Sequence, residues 1–408
     1  MRAYALVTYP FACVPFLYLF FAEHGLDAGD YGEILTAYYV TMFVAEVPTG
    51  VLADRFGPKR MLVLGPVILA TGFAAMLVSP NYTGFLIGEI LLGLGHSVLS
   101  GPPTAVLYET LKRHKQEHRY LAEESRIHAC RLYGTGSAFL LGGMLVFFGN
   151  EDGTAYPIAI LTTCLLHAIA TLCALRLPSR KSTKVLGKSL QFLGHARTEL
   201  KKPAVRWLLF YWLVLFMLLR FPFHNYQPYL KAAGKTEPLL ANAIVIGFVF
   251  AVLNLVAAPL SSKVPQLVTR FGRRALFWSM PIVVGLSLLV MAGERHLTAI
   301  GDGSRLLCWL GVSMFFVQQV PFAMHWPILH EFVNHRIGSE ARTTVLSVMS
   351  LGARATYALV NVLLFYLQEE HGLRMALLTA GVLGMTAAVI VMWARPRGLL
   401  RPTDQEAA

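Results

Sequence analysis

Apolar runs recur along the whole chain and alternate with short polar segments. A helix that crosses a bilayer needs about 20 mostly apolar residues, because each residue adds only about 1.5 Å of length. The chain contains twelve such segments, at residues 4–22, 31–53, 60–79, 82–111, 127–148, 155–177, 206–230, 239–262, 275–293, 305–332, 343–367 and 373–394. The pattern predicts an all-α membrane protein with twelve transmembrane helices. No small-residue cleavage site follows the first segment, so we expect it to be retained.

Two of the predicted helices are longer than the others and contain proline. The fourth segment includes Pro102 and Pro103, and the tenth includes Pro321 and Pro327. Proline removes a backbone hydrogen bond inside a helix, so we expect both helices to be tilted and kinked.

The composition agrees with a membrane protein. Hydrophobic residues make up 55% of the chain and charged residues 14%, whereas soluble domains carry about 25% charged residues. The five cysteines show no metal-ligand spacing, and His330 and His335 are five residues apart, whereas a helical zinc pair needs a separation of four. We therefore predict no metal site and no bound cofactor.

The distribution of basic residues predicts the orientation. With the N-terminus placed in the cytoplasm, 27 of the 35 Lys and Arg residues fall on the cytoplasmic side, five fall in outer loops and three fall inside helices. Cytoplasmic loops carry this excess in membrane proteins, so both termini are expected to be cytoplasmic. The same excess explains the net charge of +12 without a nucleic-acid partner.

The longest polar segment divides the chain into two sets of six helices. It is rich in lysine and arginine and partly amphipathic, which predicts a linker lying against anionic lipid. The predicted organisation is an N-terminal six-helix bundle, a basic cytoplasmic linker, a C-terminal six-helix bundle and a cytoplasmic tail, at residues 1–177, 178–204, 205–396 and 397–408.

The two halves look like copies of one unit. Residues 55–60 (RFGPKR) lead into the third segment, and residues 270–274 (RFGRR) lead into the ninth, which is the third of the second half. Glu109 and Glu331 end the fourth and tenth segments, and a Glu-x-Arg triplet follows each. Duplicated six-helix units are common in transporters, with the solute site near the middle of the membrane.

Residues 50–60 (GVLADRFGPKR) resemble the signature of the major facilitator superfamily between helices two and three, with Pro58 in a position where a basic residue is common. Residues 46–49, 100–109 and 342–347 resemble a bacterial branch of that superfamily. The resemblance covers essentially the whole chain. It implies a multi-pass protein of the inner (plasma) membrane that functions as a monomer and carries a small-molecule substrate.

The resemblance also implies a cytoplasmic latch that holds the two bundles together while the carrier opens outward. The residues that match it are Gly50, Asp54, Arg55, Gly57, Lys59 and Arg60. We expect Gly50 to allow close helix approach and Gly57 to allow a tight turn. An alternative is that the basic residues only hold this loop in the cytoplasm. In the second half, Thr269 stands where Asp54 stands in the first, so the two loops should not be equivalent.

Ionisable residues inside membrane helices are costly, so a functional role is the first hypothesis. Glu46, Glu89 and His96 are the candidates for proton coupling, because a carboxyl group in apolar surroundings can exchange protons near neutral pH. The alternatives are a fixed ion pair of either acid with Arg131 or Arg354, and a packing role for His96.

A second set of polar residues lies in the second half. The candidates for lining a substrate cavity are Arg220, His224, Gln318, Gln319, Arg354 and Asn361. The second half has no acid at the depth of Glu46 and Glu89, so the arginines predict a substrate with an anionic group. Pairing of Arg354 with Glu46 or Glu89 as structural glue is equally compatible with the sequence.

Three function classes remain open. The leading one is a secondary active transporter that exports a small organic solute by alternating access, with a proton gradient as the energy source. Uptake by proton symport is the alternative. Ala138-Phe139 weakens the argument for export, because the resemblance implies a Gly-Pro pair there in antiporters. A membrane enzyme or a non-transporting receptor on the same fold is a more distant alternative, and we do not expect an enzyme.

Overall fold

A computed structural model of the chain describes residues 1–9, 11–116, 119–149, 155–177, 198, 201–301, 304–336 and 339–400. Their regular structure is helical, with no strand among these residues. The α-helices are α1 Arg2–Thr8, α2 Leu17–Glu23, α3 Ala28–Phe56, α4 Pro58–Val78, α5 Tyr82–Val98, α6 Pro102–Arg113, α7 Tyr120–Phe148, α8 Ala155–Leu175, α9 Pro203–Ala233, α10 Ala243–Ser262, α11 Val264–Ala299, α12 Arg305–Arg336 and α13 Ser339–Trp393. The predicted linker at 178–204 and tail at 397–408 lie largely outside the described residues.

Side-chain caps determine where two of the long helices begin. The Asp27 side chain accepts a hydrogen bond from the Asp30 backbone N–H, and the Asp30 side chain accepts one from the Asp27 N–H, which forms a capping box at the start of α3. The Asn81 side chain accepts from the Gly84 N–H at 3.1 Å at the start of α5. Each cap satisfies backbone N–H groups that have no partner within the helix.

The structure interrupts two of the predicted helices, although Tyr82–Arg113 is one segment long and apolar enough to cross a membrane. Residues 4–22 form α1, a short 3-10 helix at Val14–Phe16 and α2, with Pro15 in the first turn of the 3-10 helix. Residues 82–111 form α5 and α6, and Pro102 starts a new helix where we had expected a kink. Proline fits the first turn of a helix because the N–H it lacks would have no partner there.

The number of membrane crossings agrees only in part with the prediction. Among the residues that the structure describes, nine helical segments are long and apolar enough to cross a membrane. Two shorter apolar helices, Val14–Glu23 and Ala243–Ala257, correspond to the first and eighth predicted spans. Within α13, a break at Gly372 separates the two last predicted spans. The chain is thus a multi-pass helical protein, and the count of twelve stays a prediction.

The described residues form two compact units. The units comprise Met1–Ser189 with Leu230–Leu255, and Leu190–Tyr229 with Val256–Ala408. Most of α10 therefore belongs to the first unit, although the sequence repeat assigns this helix to the second half.

Contact between α7 and α10 explains this assignment. A Cβ atom on Gly143 would lie 2.8 Å from the Ala243 carbonyl oxygen, and one on Gly247 would lie 2.7 Å from the Phe139 oxygen. Only residues without a side chain allow two helix backbones to approach so closely. The rings of Phe139 and Phe250 continue the contact, with centroids 5.9 Å apart.

Candidate functional site

Glu89 is a buried acid in the interior of the first unit. It lies on α5 and is 6% exposed. One turn earlier on the helix, the Phe85 ring stacks on Phe21 at 4.1 Å. Within the described ranges, no hydrogen bond or ion pair reaches the Glu89 carboxyl group, so the alternative of a fixed pair with Arg131 is not found.

His96 lies two turns after Glu89 on the same helix and packs on an aromatic ring. Its centroid is 5.6 Å from Phe11 and 5.7 Å from Tyr38. Its Nδ1 lies 2.9 Å from the Leu92 carbonyl oxygen, so this nitrogen donates to its own helix. The imidazole is therefore held in place by both backbone and aromatic contacts.

His167 is a second histidine on the other side of Phe11, and the sequence analysis missed it. It lies on α8, is 0% exposed, and its ring centroid is 5.1 Å from Phe11. Its Nδ1 lies 2.7 Å from the Thr163 carbonyl oxygen, whereas its buried Nε2 has no hydrogen-bond partner among the described residues. A lone histidine in an otherwise apolar span was the available signal.

Glu46, the other candidate acid, is half-buried on α3. Three residues later, the Thr49 hydroxyl lies 3.3 Å from the Ser97 carbonyl oxygen, and the Ser97 hydroxyl donates to the Met42 oxygen at 3.2 Å. These contacts hold α3 against α5 beside His96. The first unit thus brings the three candidates for proton coupling to two neighbouring helices.

The signature loop turns sharply between α3 and α4. Gly57 has φ +86°, a conformation that other residues rarely adopt, which confirms the predicted turn. The Lys59 ammonium donates to the Leu175 carbonyl oxygen at 2.9 Å, at the C-terminal end of α8 where a helix favours a positive charge. The Arg55 guanidinium lies 5.5 Å from the Phe56 ring centroid, and Arg60 is exposed.

Gly50 and Asp54 are the two remaining latch residues. A Cβ atom on Gly50 would meet no atom within 4 Å, so the close helix approach expected there is not found. The side chain of Asp54 lies outside the described part of the chain, and its role stays a prediction.

In the second unit, α9 and α13 bring the candidate residue His224 to the ring of Tyr357. The Tyr357 ring lies 5.8 Å from His224, and Asn361 is fully buried one turn further along α13. Arg220 lies one turn before His224, with its guanidinium 5.4 Å from the Phe216 ring. Arg220 makes no hydrogen bond or ion pair with the residues that the structure describes. Arg354 is half-buried on α13, three residues before Tyr357.

The two candidate glutamines are buried on α12. The Gln318 side chain accepts from the Tyr226 hydroxyl at 2.8 Å and donates to the Ser287 hydroxyl at 2.8 Å. Its amide therefore joins α9, α11 and α12, which is a packing role. Gln319 is 6% exposed.

A buried acid in the second unit was missed, so the expectation of no deep acid in this half was wrong. The predicted span ended at residue 293, but α11 continues to Ala299, and Glu294 is 3% exposed. Its carboxylate accepts from the Tyr229 hydroxyl at 2.5 Å, from Arg295 Nε at 2.6 Å and from the Thr298 hydroxyl at 2.9 Å. Arg295, which follows the end of the predicted span, forms an ion pair with Glu294.

The comparisons with known proteins agree with this architecture. The family model of the Major Facilitator Superfamily matches residues 3–352. The MFS-type transporter AFUA_1G00970 of Aspergillus fumigatus is 34% identical over 100 residues, which cover 24% of this chain and 23% of that protein. Multidrug resistance protein MdtH of Aeromonas salmonicida is 30% identical over 165 residues, which cover 40% of this chain and 38% of MdtH. The matched stretches thus span well under half of either relative.

A solved structure of the nucleoside transporter NupG shares the fold. It aligns with a TM-score of 0.75 and 14% identity over 96% of this chain and 98% of its own. The family model matches most of the chain, and the structure consists of apolar helices. This chain belongs to the major facilitator superfamily.

Proposed function

We propose that this protein is a secondary active transporter of the inner (plasma) membrane that exports a small organic solute by alternating access, driven by a proton gradient. Membership of the superfamily supports transport, and the similarity to a protein named for multidrug resistance supports export. The observation that carries the coupling is the buried Glu89 carboxyl group without a described polar partner.

The physical argument concerns the charge of Glu89. Burial away from water strongly disfavours a carboxylate that has no ion pair or hydrogen bond. The group therefore holds a proton while it is enclosed and releases it when water reaches it. A carrier that hydrates this site from one side and then from the other would move one proton per cycle.

Glu89→Gln tests the coupling, because it keeps the shape and removes the titratable group. We expect the variant to lose accumulation driven by an imposed proton gradient in membrane vesicles, while counterflow of solute continues. Glu33→Gln is the matched control, since Glu33 accepts a hydrogen bond from Tyr82 at 2.6 Å and is already satisfied. Unchanged gradient-driven accumulation in Glu89→Gln excludes Glu89 as the proton carrier, and Glu46→Gln then becomes the next variant to measure.

The direction of transport has one competing candidate, proton-coupled uptake. Ala138 and Phe139 stand where the resemblance implies a Gly-Pro pair in antiporters, and this departure favours uptake. Inside-out vesicles with an acidic interior should accumulate solute if the protein exports. Accumulation only in right-side-out vesicles with an acidic exterior would establish uptake instead.

We further propose that the substrate carries an anionic group. Arg220 remains charged at any physiological pH, and no described residue neutralises it through an ion pair. Once a substrate is identified, Arg220→Ala should weaken its binding severely, and Arg220→Lys should restore part of it. The same pair of substitutions at Arg354 tests the second guanidinium. A preferred substrate with no anionic group would remove the idea.

A further inference from the structure

The side chain of Arg131 packs on an aromatic ring in the first unit. Its guanidinium carbon lies 4.0 Å from the centroid of the Tyr9 ring, which is a close cation–π stack. The backbone fixes this geometry, because a Cβ atom on Gly134 would lie 2.1 Å from the Leu6 carbonyl oxygen. The Thr135 hydroxyl also donates to the Tyr9 carbonyl oxygen at 3.2 Å. Helix α7 is therefore pressed against the segment that carries Tyr9.

The charge of Arg131 is not neutralised by a contact within the described residues. The guanidinium makes no hydrogen bond or ion pair with any of them, and its Nε atom is buried without a partner. Glu124, two turns earlier on α7, acts on Arg131 only through longer-range attraction. The other nearby acid, Glu123, already binds Arg2 at 2.7 Å and Arg126 at 2.9 Å.

The position of Arg131 makes this arrangement costly without a ligand. It lies five residues inside the membrane-spanning segment Arg126–Phe148, which is about 7.5 Å at 1.5 Å per residue. An arginine at such a depth usually pairs with an anion or reaches the interface. Stacking on Tyr9 covers one face of the planar group and leaves its edge nitrogens for a two-oxygen anion.

We propose that Arg131 and Tyr9 form an anion-binding site that takes a carboxylate or phosphate group. The ring of Tyr9 holds the guanidinium plane, and the nitrogens of Arg131 bind the two oxygens. A soluble organic anion and the headgroup of an anionic lipid offer the same chemistry at this depth. The site does not depend on proton coupling or on the direction of transport.

Binding can be measured on the purified full-length protein without a transport assay. In detergent, the melting temperature is followed while benzoate or inorganic phosphate is titrated at constant ionic strength. In lipid nanodiscs, it is compared between pure phosphatidylcholine and a mixture with phosphatidylglycerol. The variants are Arg131→Gln, Arg131→Lys and Tyr9→Leu. Arg126→Gln is the control, because it removes an arginine of the same helix that is exposed and already paired.

If the ligand is a soluble anion, the melting temperature should rise with anion concentration and reach a plateau. Arg131→Gln should shift the midpoint concentration of this rise at least about tenfold, and Arg131→Lys should shift it less. A tenfold shift corresponds to about 1.4 kcal/mol. A lipid ligand predicts stabilisation by phosphatidylglycerol that is lost in Arg131→Gln, with no response to either soluble anion. Tyr9→Leu should weaken whichever response occurs. If Arg131→Gln does not fold, the proposal rests on Tyr9→Leu and Arg131→Lys. The site is overturned if the wild type responds in neither arm, or if Arg126→Gln loses the response as fully as the Arg131 variants. Such a failure leaves the role of Glu89 in transport untouched.

Discussion

Gly57 and Gly272 adopt nearly the same backbone conformation, with φ and ψ of 86° and 148° at Gly57 and of 75° and 150° at Gly272. Each follows an Arg-Phe pair whose guanidinium lies over its own neighbouring ring, at 5.5 Å in the first half and 5.4 Å in the second. The sequence repeat between the halves is therefore also a repeat of local structure.

The shared conformation makes both glycines sensitive to substitution. An alanine at either position would be forced into a backbone region that is essentially restricted to glycine, at a cost of about 1–3 kcal/mol. We expect Gly57→Ala and Gly272→Ala each to lower the melting temperature of the purified protein. Gly50→Ala is the matched control, since its Cβ meets no atom within 4 Å and alanine favours the helix. Equal stability of Gly57→Ala and Gly50→Ala would contradict the argument.

The carboxylate of Glu294 stabilises the second unit by satisfying a buried guanidinium. Glu294→Ala leaves the charge of Arg295 buried and unpaired, and we expect a loss of about 3–5 kcal/mol in the free energy of unfolding. Tyr229→Phe removes one hydrogen bond to a charged group and should cost about 1.5–3 kcal/mol. Glu370→Gln changes an acid with a 71% exposed side chain and should have no effect. If Glu294→Ala and Glu370→Gln have the same free energy of unfolding, the ion pair between Glu294 and Arg295 does not stabilise the protein.

Three arginines surround Glu123, outside the membrane-spanning segments. The hydrogen bond from Arg2, with those of its neighbours, lowers the pKa of the Glu123 carboxyl group below its usual value of 4.5. A lowered pKa in the folded state means that this contribution to stability is fully present above pH 4.5 and is lost as the pH falls through the folded pKa.

The effect of Glu123→Gln on stability should therefore depend on pH. The difference in melting temperature between wild type and Glu123→Gln should be small at pH 7, because the arginine partners of Glu123 are exposed to solvent, and should vanish as the pH falls below 4.5. A difference in melting temperature between wild type and Glu123→Gln that became larger as the pH falls would contradict this expectation.

The latch hypothesis makes a prediction for Asp54. Asp54→Asn keeps the shape of the side chain and removes its charge, so the protein should insert and accumulate normally but transport slowly. Lys59→Met is an informative comparison, because Lys59 binds the Leu175 carbonyl oxygen within the first unit and its loss should lower stability. Wild-type transport rates in Asp54→Asn, measured at equal abundance, would rule out the latch role.

The distribution of basic residues predicts the side of the membrane on which the linker lies. A single cysteine at Lys184, in a variant without the five native cysteines, should resist impermeant thiol reagents in intact cells and react after permeabilisation. A cysteine at Lys235, in a predicted outer loop, should react in intact cells. Ready labelling at position 184 in intact cells would reject the proposed cytoplasmic linker and termini.

Some features of this protein follow from the sequence alone. Apolar runs of sufficient length predict membrane helices, because a helix in lipid must satisfy its backbone internally and expose apolar side chains. The signature turn at Gly57 and its repeat at Gly272 are local features, so the amino-acid sequence predicts them directly. The position of Glu89 inside a membrane helix was also predicted from the sequence, because apolar residues flank it on both sides. That position matters because a buried charge is costly in lipid.

Other features depended on which helices lie side by side. His96 and His167 are far apart in the chain, and only packing brings both against Phe11. Gln318 was predicted to line a substrate cavity, but its amide is hydrogen-bonded to Tyr226 and Ser287. Hydrophobic patterning records how deeply a residue is buried and on which face of its helix it lies. It does not record which partner that face meets, and that choice depends on contacts between residues remote in the chain, such as the close approach of Gly143 and Gly247.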